Sequence, residues 1–276
     1  MTNNDFLRRL RYALNIKDNV MVQIFKKGNV LEKEDLDLLR DNPLEVLSLM
    51  YSDKSNGIIK GFDLIPNYSE RIVTITKGMA KCNGELFWMK EDYIFDMPKQ
   101  EERYVLKLKL VSDIEERKYY VREGRFVLEL GENVNEDEIE ITRFITREGA
   151  ELRNDYQNFR DLRRDFNLME IINTKYSSAH KWGTFHPHVL KLWGKEVSKK
   201  ENLDIFDINF YVTCLQQDVI ERDVITSYIN AKLNLTDENY TNEQMFRHLL
   251  TILDNLGTER KKVEKKRIIP RKIIVE

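Results

Sequence analysis

The order of apolar and polar positions changes character twice along the chain. Over the first 56 residues the period is helical. Phe6, Leu7, Leu10, Ala13 and Leu14 form one stripe, which predicts a helix capped by Asn3 or Asn4. Asp18 caps a second segment with Val20, Met21, Ile24 and Phe25 on one face, and Gly28 closes it as a C′ residue. Asn42-Pro43 has the form of an N-cap followed by proline at the first helical position, opening a helix with Leu44, Leu47 and Tyr51 on one side.

From Gly57 to Thr146 the chain turns to short runs rich in Ile, Val, Tyr, Phe and Thr, a strand pattern. Val73-Thr74-Ile75 alternates. Asn83-Gly84 is a type I′ turn signal joining the strand that ends at Cys82 to Glu85-Leu86-Phe87-Trp88-Met89, because that turn needs positive φ at both central residues. Tyr104, Leu106, Leu108 and Leu110 alternate with Val105, Lys107, Lys109 and Val111. Tyr119-Tyr120-Val121 and Phe126 to Leu130 read as two strands paired around Arg122 to Arg125, and Ile139 to Thr142 as the last. Several short strands of this kind predict an antiparallel β-sandwich or barrel.

Beyond Arg147 the spacing becomes helical again. Leu152, Tyr156, Phe159, Leu162, Phe166 and Met169 step by threes and fours, which predicts a helix. Pro187 opens another, with Val189, Leu190, Trp193 and Val197 inward. Asp204 or Asp207 caps the next, through Tyr211, Val212 and Leu215. Val224, Ile225, Tyr228 and Ile229 mark a further one. Thr241-Asn242-Glu243-Gln244 is a capping box before Met245, Leu249, Ile252, Leu253 and Leu256, and Gly257 ends that helix. The pattern therefore predicts an α+β chain: a helical module at 1–56, an antiparallel β-domain at 57–146, a helical domain at 147–257 and a basic extended tail at 258–276.

Composition adds three things. The chain has 276 residues with 41% apolar and 33% charged, the mix of a globular protein with a solvated surface. Cys82 and Cys214 are too few for a disulfide framework and read as small buried hydrophobes. No basic-then-apolar leader opens the chain, and no run approaches the ~18 apolar residues of a membrane span. The expected setting is the cytoplasm, or a particle assembled there.

The net charge of -2 conceals an uneven distribution. Residues 1–27 carry +4, with Arg8, Arg9 and Arg11 on the first helix. Residues 257–276 carry +5, with Lys265, Lys266 and Arg267 ahead of Ile268, Ile269, Ile273 and Ile274. The remainder carries -11. Basic ends on an acidic body suit protein–protein complementarity. They also suit nucleic acid, although the aromatic interleaving of single-strand binders is missing. These ten residues are the expected partner-binding set. The β-branched end of the tail has no partner strand in sequence, and an uncovered strand of this type is a liability. It is expected to add to a neighbouring chain or to dock on its own β-region.

Candidate chemistry is sparse. His180, His186 and His188 cluster, but no cysteine or carboxylate stands at ligand spacing; they read as capping or exposed loop residues. No nucleophile elbow, phosphate loop, dinucleotide fingerprint or zinc-protease motif occurs. The expectation is a protein without catalysis, metal or cofactor.

Two resemblances are carried by particular residues. Asn3 to Leu14, with Asp18 and Met21-Val22-Gln23-Ile24-Phe25, resembles the start of the YehS-like bacterial family, a helical family of unknown function; this implies a small helical module and no activity. Gly57 to Leu64, then Val73 to Gly84, is similar to β-modules of phage tail baseplate and fibre-attachment proteins. That resemblance implies a structural, non-enzymatic part of a tail or related contractile particle, bound to other protein subunits. The alternatives are a cytosolic regulatory or nucleic-acid-binding protein using the Arg8-Arg9-Arg11 helix, and an enzyme of unrecognised class.

Overall fold

A computed structural model describes residues 28, 30–116, 119–147, 149, 151–163 and 167–257, with backbone alone at 111–116 and 119–123. The chain forms two compact units, Met1–Asp53 and Lys54–Glu276.

In the first unit a single helix, α1 (Lys33–Met50), is described. The Glu32 N–H donates to the Asp35 carboxylate at 3.1 Å, a capping-box arrangement that starts the helix. Pro43 lies inside α1 and does not open a new helix at Asn42. Once a helix is nucleated, a proline costs it one hydrogen bond and a steric adjustment; here the ten residues before Pro43 carry the helix through it. No residue of α1 is buried. The two helices expected before Gly28 lie outside the described residues. Gly28 itself has φ +93°, the left-handed backbone of a C′ residue.

The second unit has three separate sheets, and the described strands close no barrel. Strands β1 (Gly57–Gly61), β4 (Gly78–Cys82), β5 (Glu85–Met89), β10 (Lys175–Tyr176) and β11 (Thr184–Phe185) make one, in the order β11-β10-β1-β4-β5. Strands β2 (Leu64–Asn67), β3 (Ile72–Ile75) and β6 (Tyr93–Asp96) make the second, in the order β2-β3-β6. Strands β7 (Arg103–Glu116), β8 (Tyr119–Leu130) and β9 (Glu138–Ile145) make the third, in the order β8-β7-β9. The β4–β5 hairpin turns on Asn83 and Gly84 at φ +50° and +80°, as the sequence predicts.

The sheets are mostly antiparallel, as expected; among the described strands one pair is parallel, β1 with β10, Ile58 opposite Tyr176. One expectation for the β-region needs correction. The two runs at 119–121 and 126–130 are one strand, not a hairpin around 122–125. Gly124 stands mid-strand opposite Leu110 because a Cβ there would come within 2.5 Å of the Phe87 ring. The glycine serves a close approach and no turn.

Four helices follow: α2 (Pro187–Val197), α3 (Ile205–Gln216), α4 (Arg222–Leu233) and α5 (Asn242–Asn255). Val189, Leu190, Trp193 and Val197 are buried on α2, as the spacing predicts, and so are Met245, Leu249, Ile252 and Leu253 on α5. The Thr241–Gln244 capping box is present, with the Gln244 N–H donating to Thr241 Oγ1 at 3.2 Å and the Thr241 N–H to Gln244 Oε1 at 2.7 Å.

The helix expected from Leu152 to Met169 is not formed: the described residues there, 152–163 and 167–169, are irregular apart from a 3₁₀ turn at Arg160–Leu162. Arg153 bridges to Leu168, and Glu170 bridges back to Arg143 of β9. The apolar residues do recur at helical spacing, but they serve two cores. Leu152 and Met169 join Val73, Ile75 and Leu108 in the β-core. Phe159, Leu162, Ile171 and Ile172 join Trp193, Phe246 and Leu249 in the helical core. A single helical face could not supply both.

Candidate interaction surfaces

The ten residues expected to bind partners, Arg8, Arg9, Arg11, Lys265, Lys266, Arg267, Ile268, Ile269, Ile273 and Ile274, lie outside the described residues. The surfaces that can be built are those of the second unit.

The histidines are held by local structure. His186 is the N-cap of α2, its Nδ1 accepting from the His188 N–H at 3.1 Å. Its ring packs edge-on against Tyr176 at 5.0 Å. Burial pulls its pKa down to about 3, aided by His188 and Lys191, so it is neutral at physiological pH. His188 packs against Tyr156 at 5.4 Å and is likewise lowered, first by burial. His180 Nδ1 accepts from the Trp182 N–H at 3.3 Å. Among the described residues no group of three or more His, Cys, Asp or Glu is arranged to hold a metal ion.

A cleft of about 720 Å³ opens between β9, the 173–182 segment and the start of α5. Several charges on or behind its wall are paired. Lys107 is buried, and its ammonium donates to Glu138 at 2.8 Å and pairs with Glu129 at 2.7 Å. Burial lowers the lysine pKa, but these bonds outweigh it and leave the pKa raised; in Glu138, burial is outweighed in the same way by the Asn135 N–H and Lys107, leaving that pKa lowered. Arg143 grips Glu140 through Nε at 2.7 Å and Nη2 at 2.6 Å. At the cleft floor Arg222 is buried and meets neutral acceptors: Gly183 O at 2.7 Å, Tyr240 O at 2.7 Å, Trp182 O at 3.4 Å and Asn242 Oδ1. Burial pulls its pKa down to about 10 against the pull of Asp223. The guanidinium thus ties the 182–183 loop to the start of α5. Lys175, Lys181 and Glu136 also line the cleft.

Two apolar surfaces face outward. On the small sheet, Ile65 of β2, Thr74 of β3 and Ile94 of β6 are cross-strand neighbours in one row. Ile65 and Ile94 are 53% and 56% exposed, while Val73 and Ile75 on the opposite face are buried.

The second surface is α3, which is inside out. Its one charged residue, Asp207, is buried, while Ile205 and Phe206 are 63% and 61% exposed. Asp207 has work to do inside. It completes the capping box with Asp204, accepts from Tyr228 Oη at 2.7 Å and pairs with Lys232 at 3.0 Å. Phe210 beside it stacks on Tyr228 at 4.1 Å. Its buried apolar residues are Phe210 and Cys214; Tyr211 packs part-buried against the same core, while Leu215, and Val224 of α4, are exposed. A helix apolar on every side has no periodicity to reveal its buried face, which is why the sequence pattern missed Ile205, Phe206 and Ile208.

Residues 3–43 match the model of a family of proteins of unknown function, DUF1456. The match contains the residues that carry the resemblance to the YehS-like family and fits it. No curated protein matches the chain. Among solved structures it is similar to a chain of the type VI secretion system TssK-TssF-TssG baseplate subcomplex, at TM-score 0.42 and 10% identity, covering 86% of this chain and 99% of that one. It is also similar to TssK in a crystal structure, at TM-score 0.37 and 8% identity over 85% of this chain and 68% of that one. TssK from the EAEC system, bound to a nanobody, matches at TM-score 0.37 and 10% identity, over 80% and 95% of the two chains. Likeness at this level is one of broad shape and assigns no role. Among the described residues no helix is long and apolar enough to cross a membrane.

Proposed function

We propose that this chain is a non-enzymatic component of a multi-subunit protein assembly, with its small β-sheet as a docking platform. The carrying observation is the outward row Ile65–Thr74–Ile94, in register across β2, β3 and β6. Two half-exposed isoleucines flanking a threonine in one cross-strand row suit contact with another protein surface. The flanking edges of β2 and β6 have no further strand among the described residues and can accept one from a neighbour. The likeness of residues 57–84 to tail-baseplate modules points to a contractile or phage-tail-like particle as the assembly. The basic ends, Arg8, Arg9 and Arg11 with Lys265, Lys266 and Arg267, are the proposed electrostatic contacts to acidic neighbours.

Co-expression with the products of neighbouring reading frames, followed by size-exclusion chromatography with light scattering, tests this. The wild-type chain is expected to elute in a stoichiometric complex. Ile65→Glu/Ile94→Glu is expected to elute alone with an unchanged circular-dichroism spectrum. A doubly substituted chain that still assembles, or a wild-type chain that binds DNA and no protein, would overturn the proposal.

A further inference from the structure

The outward face of α3 is too apolar for permanent exposure to water, and the position of the chain end indicates its cover. Ile205, Ile208, Val212 and Leu215 recur at the three-and-four spacing of one stripe, edged by the exposed amides Asn209 and Gln216. Across the whole helix the only charge is Asp207, which points inward. A ligand for this stripe meets apolar side chains and two amides, and no charge.

The described chain ends at Gly257, and a Cβ there would sit 3.1 Å from the Glu201 carbonyl oxygen. Glu201 precedes the N-cap of α3, Asp204, by three positions. The chain therefore leaves the helical core beside the end of α3 where Ile205 and Phe206 are most exposed. Residues 258–276 follow. At ~3.3 Å per extended residue, the ten residues from 258 to 267 span up to ~33 Å, and α3 at ~1.5 Å per residue is ~18 Å long. The tether is thus long enough to bring Ile268-Ile269-Pro270-Arg271-Lys272-Ile273-Ile274-Val275 back against any part of the helix. That stretch is apolar, β-branched and interrupted by a proline, so it favours an extended form over a helix.

We propose that residues 268–276 lie along the outward face of α3 of their own chain, with the isoleucines against Ile205, Ile208 and Leu215. The basic stretch from Arg260 to Arg267 is then a loop tethered at both ends and displayed to neighbours. This goes beyond the assembly reading and stands without it, since it needs no second protein.

Full-length protein carrying p-benzoylphenylalanine in place of Ile208 tests the contact, irradiated as an equal mixture of ¹⁴N- and ¹⁵N-labelled chains. The expected product joins position 208 to a peptide within 268–276, both halves bearing one isotope. Products of mixed isotope would assign the face to a neighbouring copy's tail and overturn the proposal, as would irradiation that leaves the tail uncoupled. In parallel, truncation after Arg267 is expected to raise hydrophobic-dye fluorescence several-fold and to speed amide exchange at the surface of α3 while the helical core keeps its protection. Equal dye binding by the truncated and full chains would also refute it. Neither readout involves Ile65 or Ile94, so failure here leaves the assembly test standing.

Discussion

Lys107 and Glu138 show what one buried pair demands of the residues around it. Both side chains are nearly inaccessible, and each neutralises the other. Lys107→Met leaves Glu138 a buried anion without its main counter-charge and is expected to destabilise the second unit by about 3–5 kcal/mol, read from urea unfolding. Lys107→Met/Glu138→Met is expected to recover most of that loss, giving a coupling energy of matching sign in the double-mutant cycle. His186 governs a pH response. Its folded pKa of about 3 lies below the ordinary value of 6.5. Above 6.5 neither state binds the proton; between 6.5 and 3 only the unfolded state does, so stability falls as the pH drops through that window. Glu170 acts in the opposite sense. Burial, with Glu243 and Glu140 nearby, raises it to about 7 against the pull of Arg143, so its contribution is lost as pH rises from 4.5 through 7. His186→Asn keeps a capping acceptor and removes the proton site. Its urea midpoint is expected to fall less than that of the wild type between pH 7 and pH 5.5.

Among the elements, the hairpin β4–β5, the strands β3 and β9, and helices α2 and α5 were all legible from sequence. Each has a local signal that its tertiary setting leaves intact: Asn83-Gly84, Pro187 after His186, or Thr241 with Gln244. The elements that were misread are those in which one residue type serves a distant contact. Gly124 looks like a turn residue and is a gap for the Phe87 ring. Gly124→Val is expected to expel that ring and to cost about 1–3 kcal/mol by over-packing, with the loss measured in thermal unfolding. The run from Leu152 to Met169 has helical spacing because residues bound for two cores interleave. α3 has apolar residues on both its buried and its exposed side, and so concealed which of them face outward. The terminal arginines and isoleucines were conspicuous in sequence as charge and as β-propensity, properties that need no fold to be seen.

Across the whole molecule, the second unit is closed by bonds between residues far apart in sequence. The Ser55 N–H donates to Ser178 O at 2.8 Å, and Ser177 Oγ donates to Ser55 O at 2.6 Å. Strand β1 pairs with β10 beside them. The three tryptophans, Trp88, Trp182 and Trp193, all lie in this unit, with Trp193 in the helical core and Trp88 on β5. Amide protons of β3 and β9 and those of α2 and α5 are expected to lose protection at the same urea concentration in the unmutated chain, and separated midpoints would show that the two cores melt independently. The connector that sends Leu152 to one core, Phe159 and Leu162 to the other, and Met169 back again also bears on how such a chain can change over generations. A recombination event at its middle would hand each descendant half of two unfinished cores. The β-sheets and the four helices are therefore a single unit for exchange, whereas a break before Lys54, at the edge of the other compact unit, would divide neither core.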